Sequence, residues 1–206
     1  MGYPENIGNI FFCSSLLEKK TYEMYYELST KIENSVVRTL LVSIAQDSLK
    51  HSSLFEEISK DFINVPPREK ECKRQLGEIW SNIYSVTKLL KDKKTLSSED
   101  LLVLIKKLSY VEYYMGEEYS ILEKVKTLKY MSKEISDFYN VDFEDAFSLH
   151  KKVIDSIIND EQKHRDILID IVKLLTKELA PSITHPTIKY QTPDAWVFQP
   201  PNKEIR

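Results

Sequence analysis

The sequence predicts an all-α fold, and three observations carry the prediction. Only 4 of 206 residues are Gly, while Leu, Ile, Lys and Glu abound, so helix formers are plentiful and helix breakers scarce. Apolar residues recur at alternating steps of three and four through five long stretches, the mark of one buried face on each helix. Cap and breaker residues, Asn34-Ser35, Pro66-Pro67 and Ser97-Ser98, fall between those stretches rather than inside them.

The first helix is predicted from about Ile10 to Glu33, with Phe11, Ser14, Glu18, Thr21, Tyr25, Leu28 and Ile32 on one stripe. Asn34-Ser35 makes a tight connection and supplies the N-cap of the second helix, about Val36 to Asp61. Its stripe is Val37, Leu41, Ile44, Asp47 with Ser48, His51, Phe55 and Ile58. Pro66-Pro67 ends one helix and opens the next. The third helix, about Glu69 to Lys91, has a plain apolar face of Cys72, Leu76, Ile79, Ile83, Val86 and Leu90. Ser97-Ser98-Glu99-Asp100 joins a cap to an acidic first turn. The fourth helix follows with Leu101, Ile105, Leu108, Glu112, Met115, Tyr119 and Leu122. A break is expected between Thr127 and Asp142, near Tyr139-Asn140, and Asp142 with Asp145 caps the fifth helix. That helix carries Phe147, His150, Ile154, Ile157, Glu161, His164, Leu168, Ile171 and Leu175. Residues 1–180 are thus expected to form one helical bundle. Residues 181–206 hold five of the 8 Pro, with Trp196 and Phe198, and read as an extended arm whose aromatics favour a groove on this subunit or a neighbour.

Composition excludes several function classes. Hydrophobic content of 42% and charged content of 30% suit a soluble globular domain. A net charge of −3 with interleaved signs leaves no electrostatic footprint for nucleic acid. No apolar run approaches the length of a membrane span, and the start MGYPENIGN lacks a basic leader region, so the expected location is the cytoplasm. Cys13 and Cys72 are far apart and form no CxxC pair. A rubredoxin-type or zinc-ribbon site is excluded on that ground, no disulfide framework is expected, and Cys72 on its apolar stripe reads as an inert buried thiol, with Cys13 unassigned.

The informative feature is polar. Four of the five helices place acidic or imidazole groups on their apolar stripe: Glu18; Asp47 with His51; Glu112; and Glu161 with His164. An unpaired charge on a buried face costs several kcal/mol to desolvate, as an order of magnitude. A shared metal ion accounts for all four exceptions at once. Glu161 and His164, three apart on one helix face, can bind the same ion. Glu18 precedes Tyr25, and Glu112 precedes Tyr119, by two helical turns, so each Tyr shares its Glu's face. The chain therefore reads as two halves, each a Glu–Tyr helix followed by a carboxylate–His helix. Depth agrees for the first pair: Glu18 lies about 16 residues before the first turn and His51 about 17 after it. The second pair is offset by about 10 Å at helical rise, which the irregular stretch before Asp142 must absorb. The third helix, about 35 Å long, has the reach to return the chain between a parallel second and fourth helix.

At these residues the chain resembles the ferritin-like superfamily, and within it the rubrerythrin-like di-iron carboxylate proteins. The resemblance covers about residues 10–61 and 98–178. It rests on Glu18 with Tyr25, His51 in IAQDSLKH, Glu112 with Tyr119, and Glu161 with His164 in NDEQKH. It implies a four-helix bundle with two irons at its centre, Glu161 bridging them, His51 and His164 as terminal ligands, Glu18 and Glu112 as the remaining carboxylates, and Tyr25 and Tyr119 beside them. It further implies redox chemistry with O2 or peroxide. No rubredoxin domain is present in the sequence, so an external electron donor is expected. Manganese suits the same ligands.

One departure stands out. The family pattern expects Glu three residues before His51, where this chain has Ser48. Asp47, about 40° from His51 around the helix, is the expected substitute ligand, with Ser48 beside the site. Its side chain is shorter than that of Glu, so the site is expected to hold two ions, or one if Asp47 does not reach. A reading from another class is a helical scaffold with a degenerate site. A third is iron storage, which the Pro-rich arm fits less well than a small homo-oligomer. Glu117 and Glu118 fall off the stripe and are expected in solvent. His150 is expected at the bundle end and His185 in the tail.

Overall fold

A computed structural model describes the backbone of residues 3–60, 62–93, 95–124 and 143–179, and the side chains of residues 8–60, 62–93, 95–120 and 152–177. The described residues form five helices: α1 (Tyr3–Thr30), α2 (Ser35–Lys60), α3 (Glu69–Asp92), α4 (Ser98–Lys124) and α5 (Phe143–Leu179). Among the described residues the structure is all-helical, as the periodicity predicts. The expected break near Tyr139-Asn140, the Asp142 cap and the arm at 181–206, with His185, Trp196 and Phe198, lie outside the described residues.

Helices α1 and α2 pack along their lengths as one pair, and α4 and α5 as another. The turn between α1 and α2 is too short for anything but an antiparallel hairpin. Asn34 closes it: its side-chain oxygen accepts hydrogen bonds from the backbone N–H groups of Val36 (3.0 Å) and Val37 (3.2 Å), two donors that α2 cannot satisfy internally. The start of α4 is held in the same manner. Ser97 Oγ accepts from the Asp100 N–H at 3.1 Å, and the Asp100 carboxylate accepts from the Ser97 N–H at 3.4 Å.

The α1 stripe is buried throughout, from Phe11 through Tyr25 and Leu28 to Ile32. The α4 stripe is buried from Leu101 to Tyr119, and the α5 stripe from Ile154 to Leu175. Helix α1 starts earlier than periodicity predicts, because Gly8 hides its first turns. A Cβ on Gly8 would sit 2.6 Å from Ile63 Cγ2 and 2.7 Å from Phe62 Cβ, so the missing side chain lets α1 approach the chain leaving α2.

Helix α3 returns the chain from α2 to α4, packing on α1 and touching α4. It is not one straight helix. Gly77 takes φ +53° and ψ −115°, a conformation glycine tolerates and other residues rarely adopt. The kink re-phases the buried face. Leu76 and Ile79 are only half-buried, and Trp80 leads a buried run through Ile83, Val86 and Leu90.

The two cysteines correct the expectation of no disulfide and an inert Cys72 thiol. Cys13 of α1 and Cys72 of α3 form a disulfide, with Cα atoms 5.0 Å apart. Both lie on apolar helix faces, and the return of α3 across α1 brings those faces together. Among the described residues no helix is long and apolar enough to cross a membrane.

Candidate metal centre

Five side chains from four helices meet in the middle of the molecule: Glu18 of α1, His51 of α2, Glu112 of α4, and Glu161 with His164 of α5. Each is at most 1% exposed. They fall into two groups of three potential ligands: Glu18, His51 and Glu161, and Glu112, Glu161 and His164. Glu161 belongs to both. In each group one ligand atom per residue lies within 4.8 Å of the others. Buried Glu/His groups so arranged can hold a metal ion.

His51, Glu18 and Glu161 meet as close pairs in which several buried atoms lack a hydrogen bond. His51 Nδ1 faces Glu161 Oε1 at 3.0 Å and Glu18 Oε1 at 3.6 Å, yet it makes no hydrogen bond. Glu18 Oε2 and both oxygens of Glu161 are buried without a hydrogen-bond partner. Buried polar atoms are nearly always bonded, and leaving one unmade costs about 1–3 kcal/mol, more for charged groups. Four convergent exceptions on three residues mark the point where a cation would satisfy them together.

Around this centre the two halves of the chain cross over. Tyr119 of α4 donates to Glu18 of α1 at 2.8 Å, and Tyr25 of α1 donates to Glu112 of α4. Each tyrosine expected beside its own helix's glutamate instead holds the glutamate of the other helix. Burial, then the charge of Glu112, pushes the Tyr25 phenol well above its usual range. Burial and Glu18 do the same for Tyr119. Both phenols therefore stay protonated and remain donors.

The imidazoles follow the same crossed pattern. Asp160 of α5 lies 3.3 Å from His51 Nε2, and Asp47 of α2 lies 3.3 Å from His164 Nε2. An ionised carboxylate only accepts, so each Nε2 carries hydrogen and each Nδ1 points at the carboxylates of the centre. His164 Nδ1 is 3.2 Å from Glu112 Oε2 and 3.8 Å from Glu161 Oε2. Lys50 of α2 ties the two outer aspartates together, at 3.0 Å from Asp47 and 2.8 Å from Asp160. Lys163 adds a contact to Asp160 at 2.9 Å. Burial opposes ionisation of Asp160, but the Lys50, Lys163 and His51 bonds outweigh it and hold the carboxyl well below its usual range. Asp47 is lowered too, with burial again opposed by Lys50 and His164.

Inside the cluster, buried ionisable groups lie against one another. Burial disfavours a charged His51, yet Glu161 and Glu18 raise it to about 10. His164 is raised to about 11 against the same opposing burial, by Glu112 and Glu161. Glu161 is pushed up to about 8, by burial first and then by the neighbouring charges of Glu18 and Glu112. Glu112 is lowered, because its bond to His164 overcomes its desolvation.

Against the sequence-based expectation, Glu18, His51, Glu112, Glu161 and His164 are brought together. Asp47 is not among the grouped ligands. It occupies the outer nitrogen of His164, partly exposed, because a short side chain offset around α2 points along the α2–α5 seam rather than into the centre. Ser48 is buried beside the site, at 1% exposure. Asp160 is the residue sequence reasoning missed. Its signal was available, since Asp160 precedes His164 by the same four residues by which Asp47 precedes His51. Glu117 and Glu118 are exposed as expected. The chain matches no protein-family model, no curated protein and no solved structure.

Proposed function

We propose that this protein is a non-haem di-iron carboxylate protein of the ferritin-like, rubrerythrin-like kind, acting on O2 or peroxide with an external electron donor. The observation that carries the reading is the pair of buried ligand groups sharing Glu161, with four ligand atoms left unsatisfied at their meeting point. Three carboxylates and two imidazoles suit iron, and manganese accepts the same set. When bound, the metal pair supplies the redox chemistry.

The chain's own residues do the rest. Glu18 and His51 would hold one ion, Glu112 and His164 the other, and Glu161 would serve both. Asp160 and Asp47 fix the imidazole rings with Nδ1 inward. Tyr119 and Tyr25 each occupy one oxygen of a glutamate, leaving the other for metal. Phe11, Phe55 and Met115, all fully buried, are part of the core that keeps bulk water from the centre. Phe55 stacks against Tyr119 with ring centroids 4.9 Å apart.

A second reading, a helical scaffold with a degenerate site, draws on Ser48, which stands where a second shared carboxylate is expected. One comparison separates the two. Metal content per chain is measured after growth with added iron, for the wild type and for Glu161→Leu, alongside unfolding of both. The di-iron reading expects about two irons per wild-type chain and a leucine variant that loses metal and the stability linked to it. A scaffold holds no metal in either protein, and leucine then stabilises it by relieving a buried charge.

A further inference from the structure

An open pocket of about 70 Å³ lies between α4 and α5 against residues of the candidate metal centre. Glu112 and Glu161, two of the grouped residues and each 1% exposed, are part of its lining. Its rim includes Gln162 and Glu117, which are exposed, and its walls include Ile158 and the half-buried Arg165. Both Glu161 oxygens are themselves covered, so the pocket stops against the side chains that carry the grouped atoms. Arg165 is held over the Tyr113 ring, 5.0 Å from its centroid.

Gly116 opens this cavity. It stands one helical turn after Glu112 on the same face, so a side chain there would cover that glutamate. A Cβ at Gly116 would meet Glu161 Cβ at 3.4 Å, an ordinary contact, so helix packing alone does not demand glycine. Glycine inside a helix is destabilising relative to alanine. Here it leaves a notch directly above two ligands.

We propose that the Gly116 notch is the side from which a small molecule approaches the metal centre. The inference rests on the di-iron reading and adds the side of approach. Residues beyond Cβ at 116 would fill the notch and leave the five grouped ligands in place.

The test uses the full chain loaded with iron, with azide as the probe and its charge-transfer absorption as the readout. Wild type is expected to bind azide, and Gly116→Val to keep its iron while associating with azide at least ten-fold more slowly. Should valine displace iron, Ser120→Leu narrows the same cavity one turn further along α4, and it is expected to slow association likewise. An iron-loaded variant that takes up azide at the wild-type rate overturns the route while leaving the di-iron reading intact. A wild type that holds no iron overturns both.

Discussion

Asp160 and Asp47 carry the sharpest consequence at the scale of single residues, because each reaches across to the other half's imidazole. A carboxylate on the outer nitrogen fixes tautomer and ring angle and makes the inner nitrogen a better ligand. Replacing Asp160 by Asn or Asp47 by Ala is therefore expected to weaken metal binding about 10–100-fold without abolishing it. Competition with a chelator measures this. Were Asp47 a direct ligand, its loss would instead remove metal outright from one position. The groups inside the centre add a pH dependence of definite sign. Without metal, His51, His164 and Glu161 have their protonation raised to about 10, 11 and 8. All three therefore hold a proton at pH 7, and all three must lose it to bind metal. Loading at pH 7 should release up to three protons per chain, and apparent affinity should climb steeply as pH rises from 6 to 8. Titration calorimetry in two buffers of different ionisation enthalpy counts the protons. Release of none would mean the imidazoles are already neutral and the buried network is differently charged.

At the scale of helices, the stripe pattern located the elements and the five grouped Glu and His residues, and it did so for a physical reason. A helix face either enters the core or does not, so a carboxylate at a core step is conspicuous. Glu18, Glu112 and Glu161 were legible in that way. A stripe reading passes over Asp160, which sits one residue off the stripe in the seam where α5 meets α2; only its spacing of four before His164, matching Asp47 before His51, marks it. Asp47 shows the same limit from the other side. Its angle about α2 was right for the neighbourhood of the centre, but angle alone does not say which of two facing imidazoles a short side chain meets. Despite the expected offset, Glu112 and Glu161 share a ligand group in the structure. The stretch expected to absorb that offset lies outside the described residues. Helix α3 shows how one residue bends a periodic reading. Around the positive φ of Gly77, Leu76 and Ile79 of the expected stripe are only half-buried and Trp80 is buried, while Cys72, Ile83, Val86 and Leu90 are buried as the stripe predicts.

At the scale of the molecule, α1 and α2 pack as one pair, α4 and α5 as another, and the two groups of potential ligands draw side chains from both. The pairs also meet directly, through Lys50 with Asp160 and Phe55 with Tyr119, while α3 packs on α1 and touches α4 and is bound to α1 through Cys13 and Cys72. Periodicity could not reveal that bond, since it depends on which face of α1 the returning helix crosses. The bond also weighs against a reducing cytoplasm as the protein's setting, because structural disulfides there are rare outside extreme thermophiles. Its contribution to stability follows from chain length. Closing a loop over a sequence separation of 59 residues removes enough freedom from the unfolded chain to stabilise the fold by about 4 kcal/mol. Reduction, or the paired change Cys13→Ser with Cys72→Ser, is expected to lower the unfolding midpoint of the metal-free protein accordingly. Metal stoichiometry should hold, because all five grouped ligands lie on α1, α2, α4 and α5. Denaturant unfolding with and without reductant gives the first quantity, and iron content of the serine variant gives the second. If reduction leaves the midpoint unmoved, α3 is held to α1 by its apolar face alone. If instead the serine variant loses its iron, α3 does more than return the chain, and the spacing of the two hairpins around Glu161 depends on it.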